Sequence, residues 1–316
     1  MFVFLLAAGA ACGSDGDSST PAASTSPTTA AESPATTVEG SPSVKLEEAG
    51  AEPRQPLVLR IASGSRSKAA LESTIGLELT IDGETLPSPV LPGSRTVLDQ
   101  RVDRVEPDGT IHYSVSFTEV SVLGGPGVDP ELVKATQDAL DQLAGLEGTG
   151  TVDSHGGNQS LTFDTASITD PALEQLIDSV SSQVGNLAAP FPREPVGKGA
   201  RWTVTSTATI NGITMNTTNH YTLRSRTGDH YEIDVTQEAS APPGAADIPN
   251  LPAGTRATIT SFELESTGKV SGDLTRQLPL TSTISGSGDG VFTIVAGPQR
   301  AKLEQHLTLD FSIEAV

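Results

Sequence analysis

From residue 57 onward, apolar and polar residues alternate singly over long stretches. Ile111, Tyr113, Val115 and Phe117 are interleaved with His112, Ser114, Ser116 and Thr118. Successive side chains of a strand point to opposite faces, so a period of two predicts a strand with one buried face. Trp202, Val204, Ala208 and Ile210 continue the pattern. After Asn211-Gly212 it resumes at Ile213 and Met215, then at Tyr221 and Leu223. Asn-Gly between alternating runs predicts a two-residue hairpin, because both residues accept positive φ. Asp82-Gly83, Asp108-Gly109 and Asp289-Gly290 read as weaker turns of the same kind. Leu303, Leu307, Leu309, Phe311 and Ile313 alternate again, and the Thr- and Ser-rich stretch 270–284 reads as further strands. A chain patterned this way folds as an antiparallel sheet with one solvated face.

Two interruptions have a helical period. Asp129-Pro130 and Asp170-Pro171 each resemble an N-cap followed by proline at the first helical position. Leu173, Leu176, Ile177, Val180, Val184 and Leu187 trace one face after the second, and Leu132, Val133, Thr136, Ala139, Leu140 and Leu143 trace a less clean face after the first. Between them, residues 149–153 and 159–165 form a short hairpin around His155-Gly156-Gly157-Asn158. The expected fold class is α+β. It is a predominantly antiparallel, curved, half-barrel-like sheet with two amphipathic helices (130–145 and 171–187) packed on one face, inserted as a central α-β-β-α block. Residues 112–118 (HYSVSFT) and 230–236 (HYEIDVT) share the pattern H-Y-x-V/I-x-F/V-T, a weak internal repeat.

The amino-terminal segment has a different character. Residues 2–11 (FVFLLAAGAA) are an uninterrupted apolar and small run that ends at Cys12, the only cysteine. Such a run is too short to span a bilayer but suits the core of a signal peptide. Gly9, Ala10 and Ala11 before Cys12 resemble the lipobox of bacterial lipoproteins, in which cleavage before the cysteine is followed by diacylglycerol attachment to its sulfur. Two features depart from that pattern: no Lys or Arg follows Met1, and Gly9 stands where leucine is frequent. Residues 1–11 are therefore expected to be a signal peptide shortened at its start, with Cys12 as the lipidation site. Of residues 13–44, 26 are Ser, Thr, Pro, Ala or Gly and none is basic. This composition cannot bury enough apolar surface to offset ordering entropy. Residues 12–56 are expected to be a lipid-anchored disordered tether, and residues 57–316 a single β-rich extracytoplasmic domain.

Charge and composition exclude several function classes. The chain carries 39 acidic and 19 basic side chains, a formal charge of −20. Residues 57–316 hold 32 of the acids and 17 of the bases, so the acidity belongs to the domain as well as the tether. That sign argues against nucleic acid as a partner. One cysteine rules out an internal disulfide and a Cys-based zinc site. Twelve aromatic residues leave few rings for stacking sugars or bases. No HxH, HExxH, GxSxG, P-loop or EF-hand spacing occurs. The expectation is no metal, no cofactor and no catalytic residue. Three of the five histidines (His112, His220 and His230) immediately precede a tyrosine. In strands this places Tyr inward and His outward.

Residues 192–202 read PREPVGKGARW. With the lipobox, the tether and the Asp-Pro helices, the P-V-G-x-G-A-x-W segment at Pro195–Trp202 resembles a family of uncharacterised bacterial lipoproteins common in actinobacteria. That resemblance implies a lipid-anchored envelope protein and carries over no catalytic residue. Physically, Gly197 and Gly199 permit a tight turn, and Trp202 anchors the next strand in the core. A looser likeness of architecture is to envelope lipid carriers whose half-barrel sheets enclose an apolar cavity.

These readings combine into an expected function. The chain is a non-enzymatic lipoprotein on the extracytoplasmic face of the bacterial cell membrane, held by membrane lipid at Cys12. It binds an apolar or amphiphilic ligand such as lipid between helices and sheet, in a cavity lined by Leu140, Leu143, Leu173, Ile177, Val180 and Val184. Two alternatives stand beside it. One is a cell-envelope protein–protein interaction or assembly module with an envelope protein partner. The other is a hydrolase whose triad is assembled from distant residues.

Overall fold

The computed structural model describes residues 37–38, 42–88, 90–165, 177, 189–210, 213–246 and 254–316. Its strands in chain order are β1 (Thr37–Val38), β2 (Ser43–Glu48), β3 (Arg66–Ile81), β4 (Glu84–Thr85), β5 (Gly93–Val105), β6 (Ile111–Leu123), β7 (Glu147–Val152) and β8 (Asn158–Phe163). They continue as β9 (Arg201–Ile210), β10 (Ile213–Thr227), β11 (His230–Ala241), β12 (Gly244–Ala246), β13 (Thr255–Asp273), β14 (Thr281–Ala296) and β15 (Gln299–Ala315). All belong to one 15-stranded sheet in the order β1-β9-β10-β11-β13-β14-β15-β3-β5-β6-β7-β8. Strand β2 pairs with β9, β4 with β3, and β12 with β13. Every pairing between these strands is antiparallel.

The sheet curls so that its two ends share one core. Tyr113, Val115 and Phe117 on β6 and Phe163 on β8 belong to the same buried cluster as Trp202 on β9, Leu223 on β10 and Ile233 on β11. These strands lie at opposite ends of the strand order, and only a closed or nearly closed curl brings them together. Leu57, Leu59 and Ile61, ahead of β3, fill the same interior. The Leu59 amide donates to Ser154 O at 2.7 Å and the Arg60 amide to Leu274 O at 2.6 Å, so this segment straps the β7–β8 turn to the β13–β14 connection. A second cluster occupies the far end of the long strands, with Met215, Ile259, Phe262, Leu264, Phe292 and Leu309 among its members. A polar band on the inner face of β10, β11 and β13 separates the two. There Ser266 Oγ donates to Gln237 Oε1 at 3.4 Å, and Gln237 Nε2 donates to Asn219 Oδ1 at 2.8 Å.

The expected α+β class, with two amphipathic helices on one face, is not what the chain adopts. Of the described residues, 65% are in strands and 6% are helical, and among them stands one short α-helix of more than one residue, α1 (Pro130–Leu140). The Asp129 side chain caps α1 and proline opens it, as the sequence indicates. The helix nevertheless ends at Leu140 and buries none of its residues. A sheet curled around its own core supplies most of its own cover, so the apolar stripe of the helix has no large face to meet. Instead α1 protects an edge. Strand β7 covers β6 only from Ile111 to Ser116. Beyond it, Gln137 on α1 donates from Nε2 to Val120 O at 3.1 Å and accepts from the Val122 amide at 2.8 Å. The side-chain amide thus takes the place of a neighbouring strand's peptide group. The expected helix after Asp170-Pro171 lies outside the described residues except for Ile177.

Two further expectations change. Asp289-Gly290 is not a turn but lies inside β14, where Gly290 faces inward against Phe262 and Phe292. Residues 43–56, expected as tether, join the fold. Ser43–Glu48 pairs with β9, and the segment after it bonds to the P-V-G-x-G-A-x-W turn. The Ala51 amide donates to Lys198 O and the Gln55 amide to Val196 O, each at 2.9 Å. Any side chain at Gly197 would collide with Ala51 O. This docking is carried by backbone hydrogen bonds, which leave no hydropathy pattern. Asn211-Gly212 lies outside the described residues, yet Ile210 pairs with Ile213, as a two-residue hairpin requires.

The inward placement of the tyrosines matches the sequence reading. Tyr113 is 3% exposed, and burial pushes its hydroxyl up to about 12, against a smaller opposing effect of the nearby Gln277 amide. Burial pushes Tyr221 and Tyr231 upward as well. A phenol whose folded value lies above its unfolded value of 10.0 contributes stability that is fully present below pH 10.0 and is lost as pH rises toward the folded value. Denaturant unfolding is therefore expected to weaken between about pH 10 and 12, by on the order of 3 kcal/mol for Tyr113 alone. Phenolate absorbance should appear together with unfolding. Phenolate titration near 10 in a folded chain would contradict the burial.

Candidate functional site

Of the residues expected to line a cavity, Leu143 and Ile177 are each 2% exposed and belong to the main cluster. Leu140 is half-buried against the same cluster. All three lie within or against the main core. Leu173, Val180, Val184 and Cys12 lie outside the described residues. Among the described residues, no three metal-ligating side chains gather to hold an ion. His112 and His306 instead face Glu106 and Asp289 in surface pairs at 3.1 and 2.8 Å.

The open apolar surface lies elsewhere, at the far end of β3 and β15. Ile75, Leu77, Leu79 and Ile81 face inward in register with Leu309, Leu307, Gln305 and Leu303. Strand β3 pairs with β5 only from Arg66 to Ser73, so this half of the strand leaves the closed part of the curl. The consequence is a graded exposure along one inner face. Leu309 and Leu307 are buried, Ile75, Leu77, Leu79 and Leu303 are half-buried, and Ile81 is 37% exposed. Part of this surface packs on the second cluster, through Ile75 and Leu303.

A single polar side chain interrupts that wall. Gln305 is 4% exposed, and its Oε1 is buried without a hydrogen-bond partner. An unpaired buried acceptor costs about 1–3 kcal/mol. A hydroxyl or amide donor arriving with an apolar ligand would remove that cost. The wall therefore offers aliphatic contact over several residues and one acceptor in its midst. This is the pattern of amphiphile sites, which are mostly apolar with few placed polar groups.

Neither Leu77 nor Gln305 stands out in a first reading of the sequence. The alternation from Thr74 to Ile81 contains the signal, as does Gln305, a polar residue at a position where the run from Leu303 to Ile313 should be apolar.

Residues 174–276 match a family of unknown function (DUF6263). The matched span includes the P-V-G-x-G-A-x-W segment and runs through β13. No curated protein matches the chain. Among the described residues, no helix is long and apolar enough to cross a membrane.

Proposed function

We propose that the protein is a non-enzymatic, membrane-anchored extracytoplasmic lipoprotein that receives an apolar or amphiphilic ligand on the inner face of its curled sheet. The observation that carries this reading is the part-exposed wall of Ile75, Leu77, Leu79 and Leu303 around the unpartnered Gln305 acceptor. In a chain with 36% hydrophobic residues, aliphatic side chains left part-exposed on a concave face favour contact with another apolar surface. An acyl chain lies along such a wall, and a donor near its polar end reaches Gln305.

The anchor supports the same reading from the other end of the chain. An apolar run and small residues precede the only cysteine, and a Ser/Thr/Pro-rich stretch follows it. An acylated Cys12 holds the domain at the membrane that supplies such ligands. Two acyl signals at one residue are enough for stable attachment. Cys12→Ser is expected to move the protein from the membrane fraction to the soluble fraction and to abolish metabolic labelling by palmitate. A Cys12→Ser protein that remains membrane-bound would remove the anchor from this account.

The ligand part is tested with a fluorescent fatty-acid probe titrated into the purified protein. Saturable enhancement is expected, and Leu77→Glu should weaken it by about tenfold or more, since it places a charge in the apolar wall. Leu77 is already part-exposed, so this variant should keep its fold, as checked by thermal unfolding. Gln305→Leu should raise stability by about 1 kcal/mol while weakening amphiphiles that carry a donor. A probe that does not saturate, or that Leu77→Glu leaves unchanged, would refute this site.

A further inference from the structure

The opposite, outer face of the sheet carries a second and unrelated feature. Strands β3, β5, β6, β7 and β8 form a cleft of about 590 Å³ there, lined by Arg66, Asp99, Arg101, Glu147 and Asp164 over a floor of hydroxyl side chains. Strand register gives the order of its walls. Arg66 lies directly opposite Arg101, Arg101 opposite Ser114, and Ser114 opposite Thr149, which faces Thr162. In the neighbouring row, Lys68 faces Asp99, Asp99 faces Ser116, and Ser116 faces Glu147. One wall is cationic, the other acidic, and serine and threonine hydroxyls lie between them.

The cationic wall is unbalanced. Like charges directly across a strand pair repel and destabilise it. Of the carboxylates flanking Arg101 on β5, Asp99 is taken by Lys68 at 3.2 Å and Asp103 accepts from Ser114 Oγ at 3.2 Å. Among the described residues, neither Arg66 nor Arg101 makes an ion pair. Glu147 makes none either. It lies two strand spacings and two residues along the strands from Arg101, roughly 12 Å across the sheet. That gap is too wide for a direct hydrogen bond and wide enough for a few-atom molecule. Two guanidiniums side by side match the several oxygens of a phosphate, which each can engage through paired N–H groups.

We infer that this cleft binds a small zwitterion, with a phosphate-type oxyanion held between Arg66 and Arg101 and an ammonium group facing Glu147. The acidic wall also explains how an anion-binding pair persists in a protein of charge −20: a ligand that carries both signs meets less net repulsion there than a bare phosphate does. The site stands on the outer face and does not depend on the apolar wall of the inner face.

The test is calorimetric titration of the full chain with phosphoethanolamine, inorganic phosphate and ethanolamine separately. Phosphoethanolamine should saturate, with affinity about tenfold or more above either fragment. Arg101→Ser and Arg66→Ser, both at exposed positions, should each weaken phosphoethanolamine by about tenfold or more. Glu147→Gln should reduce phosphoethanolamine to the level of inorganic phosphate and leave phosphate itself unchanged. Displacement of the bound probe by phosphatidylethanolamine vesicles would assign the zwitterion to a lipid headgroup, and its persistence to a soluble molecule, with the same chemistry in either case. Absence of saturation, equal affinity for phosphate and phosphoethanolamine, or indifference to Glu147→Gln would each overturn the inference.

Discussion

Replacing Trp202 with alanine is expected to lower the free energy of unfolding by about 3–5 kcal/mol. Trp202 is fully buried at the start of β9 and stacks on Tyr221, ring centroids 5.4 Å apart. Its indole N–H donates to Pro190 O at 2.9 Å. The ring therefore fastens the 189–200 segment, which in turn receives residues 49–55, to the inner face of the sheet. Truncation leaves a large cavity and an unpaired carbonyl. Trp202→Phe keeps most of the stacking and loses only the hydrogen bond, so it should cost less, about 1–2 kcal/mol. Denaturant unfolding followed by circular dichroism measures both. Equal costs for the two variants would show that the hydrogen bond, and not the ring, holds this junction.

Gly150→Val is expected to be strongly damaging, although the residue has no side chain of its own. Tyr113 on β6 pairs with Gly150 on β7 and lies over it. A Cβ at Gly150 would stand 2.5 Å from the Tyr113 ring carbon Cζ and 2.7 Å from Ser160 O. Neither can retreat, because Tyr113 is buried and Ser160 O belongs to the adjacent strand. Overpacking of this kind costs about 1–3 kcal/mol, more when backbone must move. The double variant Tyr113→Ala with Gly150→Val should then be less than additive, because the first change removes the obstacle to the second. Additivity in a double-mutant cycle would contradict the packing described.

The same pair explains the weak internal repeat. Tyr231, the counterpart of Tyr113, pairs with Gly272 on β13 and covers it in the same way. Each copy begins just after a turn whose glycine has positive φ, Gly109 at 89° and Gly228 at 63°. The shared H-Y pattern thus places a tyrosine over a cross-strand glycine, with its histidine facing out. Half of that arrangement was legible in the alternation. The glycine partners were not, because they come from strands 37 and 41 residues further along the chain.

Strand content was the most readable property of the chain, since a period of two is a local signal. The helical expectation failed for an equally physical reason. Local periodicity reports that a helix can form, and α1 does, but not how much of the domain's covering it supplies. That is set by the long-range curl of the sheet around its core. The tether boundary was misplaced because residues 49–55 dock through backbone hydrogen bonds. Asp289-Gly290 misled because a glycine under an aromatic ring and a glycine in a turn look alike in one dimension. Among the proposed site residues, the aliphatic positions of β3 follow from alternation. Gln305 becomes informative only once its neighbours across β3 and β14, Leu79 and Gly290, are known.

The most direct test of the proposed function is native mass spectrometry of the full chain purified from its membrane fraction. The account predicts an adduct with the mass of an acyl-chain amphiphile. That adduct should be extractable into organic solvent, present in the unmodified protein and lost in Leu77→Glu. A protein that carries no adduct, and acquires none when incubated with membrane lipid extract, would contradict it.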